Sequence, residues 1–123
     1  MNWQDFWKEA AIKERKHQDA TPVADLLRAL RKGWYGQYYT IWYSVAERAT
    51  LAEAGWTLYR VLANPNGRFD RTHCARALLH LLKDSSFSAE ELGGYCPLRE
   101  QKLEALRAAL EQAIGPEPPE PPR

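Results

Sequence analysis

The spacing of the apolar residues is the feature that most constrains the fold of this chain, because it follows the period of an α-helix. The clearest case is the segment 21–33. Its apolar face comprises Val23, Leu26, Leu27 and Leu30. Thr21 is a candidate N-cap, Pro22 suits the first helical position, and Gly33 follows the end. The alternation typical of a half-buried strand is confined to very short windows, so the pattern predicts an all-α protein.

Helix start and stop signals divide the chain into six or seven segments. Thr50 and Glu53 have the spacing of a capping box, and the sequence SAEE after Phe87 repeats that signal. The expected helices span approximately 2–18, 21–32, 36–48, 50–63, 70–82, 88–92 and 97–114. We predict one all-α domain over 1–115, built of stacked antiparallel helical hairpins. The segment 116–123, PEPPEPPR, should form a flexible extended tail.

An internal repeat appears when the sequence is compared with itself at an offset of 32 residues. LLRAL at 26–30 then matches LYRVL at 58–62, and WYSVAE at 42–47 matches CARALL at 74–79. Paired helices of this kind bury their apolar faces by stacking. Residues 21–83 therefore resemble a HEAT-type α-helical repeat, and a plain antiparallel bundle of hairpins is the alternative. The resemblance implies a scaffold that binds proteins or peptides, and less often nucleic acid.

Charge argues against a dedicated nucleic-acid-binding domain. The net charge of the 123 residues is +1, with 13 Lys or Arg against 8 acids in residues 1–83 and 4 against 8 in 84–123. Nucleic-acid-binding domains usually carry a stronger and more concentrated basic excess. There is no membrane-length apolar run and no secretion signal, and the two cysteines form no disulfide framework. A cytoplasmic location without membrane contact is expected.

Candidate catalytic and metal-binding residues do not form a recognisable set. His73 and His80 lie two helical turns apart, too far to bind one ion directly, and Cys74 should face the core. Cys96 precedes Pro97 at a helix entry, where free amides lower a thiol pKa, but no histidine is predicted beside it. We therefore predict no catalytic residue, metal or cofactor, and an enzyme is the least supported class.

The segment GWYGQYYTIWYSVAER, residues 33–48, concentrates six aromatic residues. Treated as one helix, it has an apolar arc of about 200°, wider than one buried face needs. The middle of the arc should be core: Tyr38, Trp42, Val45, Ala46 and Ala49. Tyr39 and Tyr43 on the far flank are either covered by the first helix, acting as a lid with Trp3, Phe6 and Trp7, or exposed to a partner. The offset of 32 residues places Arg71 and Arg76 beside these tyrosines.

The preferred hypothesis is a non-enzymatic protein-binding module that acts by occlusion or scaffolding, as an inhibitor, an immunity-type protein or an assembly subunit does. Its predicted partner-binding residues are Tyr39, Tyr43, Arg71 and Arg76. The partner is another protein of open identity, and a homodimer is compatible. The alternative is nucleic-acid binding through a basic and aromatic face. Its phosphate contacts would be Arg28, Arg31, Lys32, Arg68, Arg71 and Arg76.

Overall fold

A computed structural model describes residues 2–34, 37–38, 40–64, 71–94 and 96–119. This part of the chain contains seven α-helices and no strand, which confirms the all-α class. The helices are α1 (Trp3–Asp19), α2 (Val23–Arg31), α3 (Ile41–Arg48), α4 (Leu51–Ala63), α5 (Arg71–Leu82), α6 (Ala89–Gly93) and α7 (Arg99–Ile114).

The core is centred on α4, which packs against α2, α5 and α7. The helix α5 contacts α3 and α6 as well, and α6 reaches α7. Leu58 and Leu62 of α4 are fully buried, as are Leu78 of α5 and Leu106 of α7. The helix α1 differs from the others because it has one buried residue, Gln18, and packs mainly on α3. The apolar core therefore forms without α1.

The helices α2, α3, α4 and α5 pack in the arrangement that the internal repeat requires, with matched helices side by side. The helix α2 packs on α4 and α3 packs on α5, each against the helix that it matches at the offset of 32 residues. Matched positions are buried in both copies, for example Leu30 with Leu62 and Trp42 with Cys74. Similar apolar faces at equivalent positions let the second helix pair stack on the first. The likeness to HEAT repeats stays a prediction.

Several helix ends confirm the capping signals. The Asn2 side chain accepts a hydrogen bond from the amide of Gln4, and Thr50 and Glu53 form a complete capping box. Gly115 ends α7 with φ +89°, a conformation that favours glycine. The prediction that Thr21 caps α2 is wrong. Its hydroxyl donates to the carbonyl of His17 at the end of α1, and the N-cap of α2 is Pro22.

The predicted start of the third helix at residue 36 is also wrong, because α3 begins at Ile41. The Glu14 carboxylate of α1 accepts hydrogen bonds from the amides of Gln37, Tyr38 and Thr40 at 2.7, 3.0 and 3.4 Å. These amides bond to a side chain distant in sequence instead of to helical carbonyls, so the local helical pattern is overridden. Gly36 lies outside the described residues.

The C-terminal segments show two further features. Leu98 is the N-cap residue that precedes α7, and its side chain is 52% exposed. The start of the predicted tail contacts the domain: Glu117 forms ion pairs with Arg60 and Arg107, and Arg60 also donates to the Pro118 carbonyl. The domain boundary at residue 115 stays a prediction.

Candidate protein-binding surfaces

A groove between α3 and α5 brings together two of the four predicted partner-binding residues. Tyr43 on α3 is 49% exposed, and Arg76 lies opposite on α5. The groove has a volume of about 230 Å³. Its lining comprises Trp42, Tyr43, Ala46, Glu47, His73, Arg76, Ala77 and His80. We call this feature the α3–α5 groove; its floor is apolar and its rim carries rings and charged groups.

The other two predicted residues are not part of this lining. Arg71 is the first residue of α5, where its guanidinium donates to the carbonyl of Asn64 at 2.7 Å. Tyr39 lies outside the described residues. Tyr43 is not covered by α1, which removes the lid interpretation for that residue.

The rim of the α3–α5 groove is partly ordered by ion pairs. The Arg76 guanidinium lies 2.8 Å from a Glu90 carboxylate oxygen, and this hydrogen bond raises the pKa of Arg76. On the opposite side, Glu47 pairs with Arg15 at 2.5 Å. His73 and His80, considered in the sequence only as weak metal ligands, line the groove with Arg76. Among the described residues, no group of three or more His, Cys, Asp or Glu side chains could hold a metal ion.

A second surface lies at the start of α1, where Trp3, Phe6 and Trp7 are 72%, 46% and 50% exposed. Their rings contact one another: Trp3 stacks on Trp7 at a centroid distance of 6.0 Å, and Phe6 meets Trp7 edge to face at 5.5 Å. Trp7 also contacts Tyr38 edge to face at 5.5 Å. We call Trp3, Phe6 and Trp7 the aromatic cluster. These three side chains do not form a buried lid, because each is about half exposed or more. Trp7 covers part of Tyr38, and Tyr39 lies outside the described residues.

The second half of α1 is attached to α3 by a polar clamp. Arg48 of α3 donates to the carbonyls of Gln18 and Thr21 at 2.7 and 2.8 Å. The Ser44 hydroxyl donates to Asp19 at 2.7 Å, and this bond is the main reason that the pKa of Asp19 is lowered. Glu14 binds the amides before α3, as described above. These bonds are all made in the second half of α1. The aromatic cluster lies in the first half, beyond the part of the helix that is bound to α3.

Sequence reasoning found the aromatic residues of α1 but assigned them to a covered face. The signal against that assignment was present in the sequence. The same helical stripe that carries Trp3 and Trp7 continues through Ala10 to Glu14 and Gln18, so it becomes polar where it meets the domain. A face that is apolar at one end and polar at the other cannot be buried along its whole length in one apolar core.

No family model, curated protein or solved structure matches this chain. Within the described residues, no helix is long and apolar enough to cross a membrane. The functional conclusion therefore depends on the two surfaces, the α3–α5 groove and the aromatic cluster.

Proposed function

We propose that this protein is a non-enzymatic protein-binding module that acts by occlusion or scaffolding, in the manner of an inhibitor, an immunity-type protein or an assembly subunit. The observation that carries the proposal is the aromatic cluster, three adjacent large side chains that are each about half exposed or more. Contiguous apolar patches on a protein surface mark interaction sites, and Trp is enriched among the residues that dominate binding energy.

The clamp on α1 adds to the suitability of the cluster for binding. Ordering flexible side chains and segments on association costs free energy. The three rings already contact one another, and the helix that carries them is hydrogen-bonded to α3. Much of the ordering cost is therefore met in the free protein.

The size of the cluster indicates that it acts with a second contact. At roughly 200 Å² for a fully exposed aromatic side chain, its exposed surface is about 300–400 Å². Burying this surface contributes about 8–10 kcal/mol at 25 cal/mol per Å². Association costs about 4–15 kcal/mol before any interaction is counted. The cluster can anchor a complex, and further area such as the α3–α5 groove is needed for a tight one.

Site-specific photo-crosslinking tests the proposal in the native cell. Phe6 is replaced by p-benzoyl-phenylalanine, a shape-related photoreactive residue, and the exposed Glu104 of α7 is replaced in a control. We expect the Phe6 probe to capture a defined protein that the Glu104 probe does not capture. Trp3→Ala with Trp7→Ala should abolish the capture.

Ile12→Ala provides the matched control, because Ile12 is 54% exposed on the same helix, on the side opposite Trp3. Capture should persist in this variant, and circular dichroism should show an unchanged melting temperature for both the Trp3→Ala, Trp7→Ala variant and the Ile12→Ala variant. Two outcomes would contradict the proposal. One is that the Phe6 probe captures the same protein equally well after Trp3 and Trp7 are replaced; the other is that the Phe6 probe captures no protein when both tryptophans are present.

Nucleic-acid binding is the alternative, and the basic residues predicted for it are less favourably placed. Arg28 pairs with Asp25 at 3.3 Å, Arg76 pairs with Glu90, and Arg68 lies outside the described residues. The exposed first half of α1 carries Asp5 and Glu9 against Lys8 and Lys13, so it adds no basic excess that would bind phosphates. A salt titration with labelled RNA and DNA distinguishes the two functions. Steeply salt-dependent binding would favour the alternative.

A further inference from the structure

The segment that follows α7 places a carboxylate between two arginines of neighbouring helices. We call residues 116–119 the strap. Arg60 of α4 donates from Nε to a Glu117 carboxylate oxygen at 3.3 Å, and from Nη2 to the Pro118 carbonyl. On α7, which packs against α4, Arg107 Nε lies 4.0 Å from the other Glu117 oxygen. The two guanidiniums and the strap therefore form one polar site.

The strap satisfies Arg60 but not Arg107. The distances from Arg107 Nε to Glu117 and Glu111, 4.0 and 3.7 Å, are too long for hydrogen bonds. This nitrogen is nevertheless buried, with no hydrogen-bond partner in the described part of the chain. A buried donor without an acceptor costs free energy. The site therefore has a donor that a closer carboxylate could satisfy.

Few contacts hold the strap in place. Pro116, Pro118 and Pro119 are exposed, and proline has no N–H group to donate. The side chains of Arg60, Arg107 and Glu117 that form the ion pairs are all partly exposed. Ion pairs open to solvent contribute little to stability. The strap can therefore leave the site at a small cost in free energy.

The charges around the site leave Arg60 without an acidic partner once the strap is released. Glu117 is the one described acid within ion-pairing distance of the Arg60 guanidinium. Glu111 accompanies the other guanidinium, on α7. Glu104 and Arg99, whose charges both act on this part of α4, have opposite signs and offset each other. The free site therefore has an excess positive charge, which favours a carboxylate ligand.

We infer that Arg60 and Arg107 form a binding site for an acidic, proline-flanked segment of a partner protein, and that the strap occupies this site as an autoinhibitory contact. The ligand would place a glutamate carboxylate between the guanidiniums and the next carbonyl on Arg60, as Glu117 and Pro118 do. Flanking prolines keep such a segment extended and lower its ordering cost. This site does not involve the aromatic cluster, so the inference goes beyond the proposed function and does not depend on it.

A nuclear magnetic resonance titration of the full chain tests the inference through the arginine Nε–H signals. The probe is a synthetic peptide, acetyl-GPEPPG-amide, which copies residues 115–119 with an added glycine. In Glu117→Ala it should shift the signals of Arg60 and Arg107. Its dissociation constant should be roughly 5-fold or more below that of wild type, where the strap lowers the fraction of free sites. The peptide acetyl-GPQPPG-amide should shift neither signal.

Two further variants act as controls for charge and geometry. Glu9→Ala removes an exposed acid of α1 and should bind the acidic peptide like wild type. Arg60→Lys in the Glu117→Ala background keeps the positive charge but loses the planar pair of donors, so binding should weaken. The backbone amide spectrum shows whether each variant is folded.

Several outcomes would overturn the inference. These are equal affinity of wild type and Glu117→Ala for the acidic peptide, no binding by Glu117→Ala, and binding that does not distinguish the two peptides. Sedimentation velocity addresses the remaining source of the same chemistry, the strap of a second copy. A wild-type dimer that Glu117→Ala abolishes would mean that the strap is exchanged between copies and is not autoinhibitory.

Discussion

At the scale of the residue, the contact between Thr40 and Gln18 decides how α1 joins the domain. The Thr40 hydroxyl lies 2.8 Å from a Glu14 carboxylate oxygen and 2.6 Å from the carboxamide oxygen Oε1 of the fully buried Gln18. A hydroxyl has one proton, and Glu14 as a carboxylate must accept it. Turning the Gln18 carboxamide over lets Nε2, otherwise buried without a partner, donate to the Thr40 oxygen. We assign that orientation because it gives both the Thr40 proton and the Gln18 amide a hydrogen-bond partner.

Thr40→Val should therefore destabilise the protein by about 1–3 kcal/mol, because it leaves the buried Gln18 amide without an acceptor. The Thr40 side chain makes no capping bond to α3, so the loss would not reflect a missing cap. Chemical denaturation measures the effect. Thr40→Ser keeps the hydroxyl and should retain most of the stability; an equal loss in both variants would contradict the assignment.

Asp19 should make α1 docking sensitive to acid. Its pKa is lowered by the hydrogen bond from Ser44 first, and by Arg15. A lowered pKa in the folded state stabilises the protein above the unfolded value of about 3.9, and this stabilisation disappears as the pH falls through the folded value. The melting temperatures of wild type and Asp19→Asn should therefore differ at neutral pH and converge in strong acid. In a Ser44→Ala background the pH-dependent part of this difference in melting temperature should be smaller. A difference in melting temperature between wild type and Asp19→Asn that does not vary with pH would contradict this role of Asp19.

The two cysteines should differ sharply in reactivity. The Cys74 thiol is fully buried in α5 and donates to the Leu58 carbonyl at 3.2 Å, whereas Cys96 is partly exposed. Thiol reactivity requires access to solvent. A maleimide reagent should label Cys96 alone in the native protein and both cysteines after denaturation, as mass spectrometry can show. Native labelling of Cys74 would mean that α5 opens readily.

At the scale of the element, the close approach of α6 to α5 depends on Gly93. A Cβ atom at residue 93 would lie 2.4 Å from the backbone nitrogen of Thr72. A backbone atom, unlike the end of a side chain, cannot move out of the way by a bond rotation. Gly55 of α4 is also crowded, but by flexible side-chain ends, the closest being Ile114 Cδ1 at 2.9 Å. Gly93 is the last residue of α6 and Gly55 lies inside α4, and the two should tolerate a methyl group differently.

We expect Gly93→Ala to destabilise the protein by about 1–3 kcal/mol through overpacking. Gly55→Ala should be near neutral, because the better helix propensity of alanine, about 1 kcal/mol, offsets a small side-chain adjustment. Thermal unfolding of the two variants checks the contrast. Similar effects at both positions would show that α6 can move away from α5.

At the scale of the whole molecule, α1 should open before the core. It contributes one buried side chain, the polar Gln18, and is attached by polar contacts, whereas the core around α4 is formed by fully buried leucines. Such segments open with a low free energy while the core opens only with global unfolding. In hydrogen exchange, amides of residues 3–12 should exchange fastest among the helices and those of α4 slowest. Protection of α1 equal to that of α4 in the monomer would contradict this hierarchy.

Local residue patterns determined most of the helices and little of the surface. The capping box at Thr50, the stop at Gly115 and the apolar faces of α2 and α5 depend on neighbours within one or two turns, so they could be read directly. The start of α3 could not be read from local residues in this way. The amides before α3 bind the Glu14 carboxylate, which lies 23 or more residues earlier in the chain. The convergence of Tyr43 with Arg76 was predicted through the repeat, whereas His73, His80 and Glu47 join them through packing.

The sequence by itself determined that the chain is helical, which residues form the buried stripe around Trp42 and Leu58, and that large aromatic residues are concentrated near its start. Only the tertiary structure decided which aromatic residues stay in solvent. That outcome depends on where α1 is attached. Its bonds to α3 and to the amides before α3 are made by Glu14, Gln18 and Asp19, so only the second half of α1 is held against the domain. The aromatic cluster is exposed for this reason.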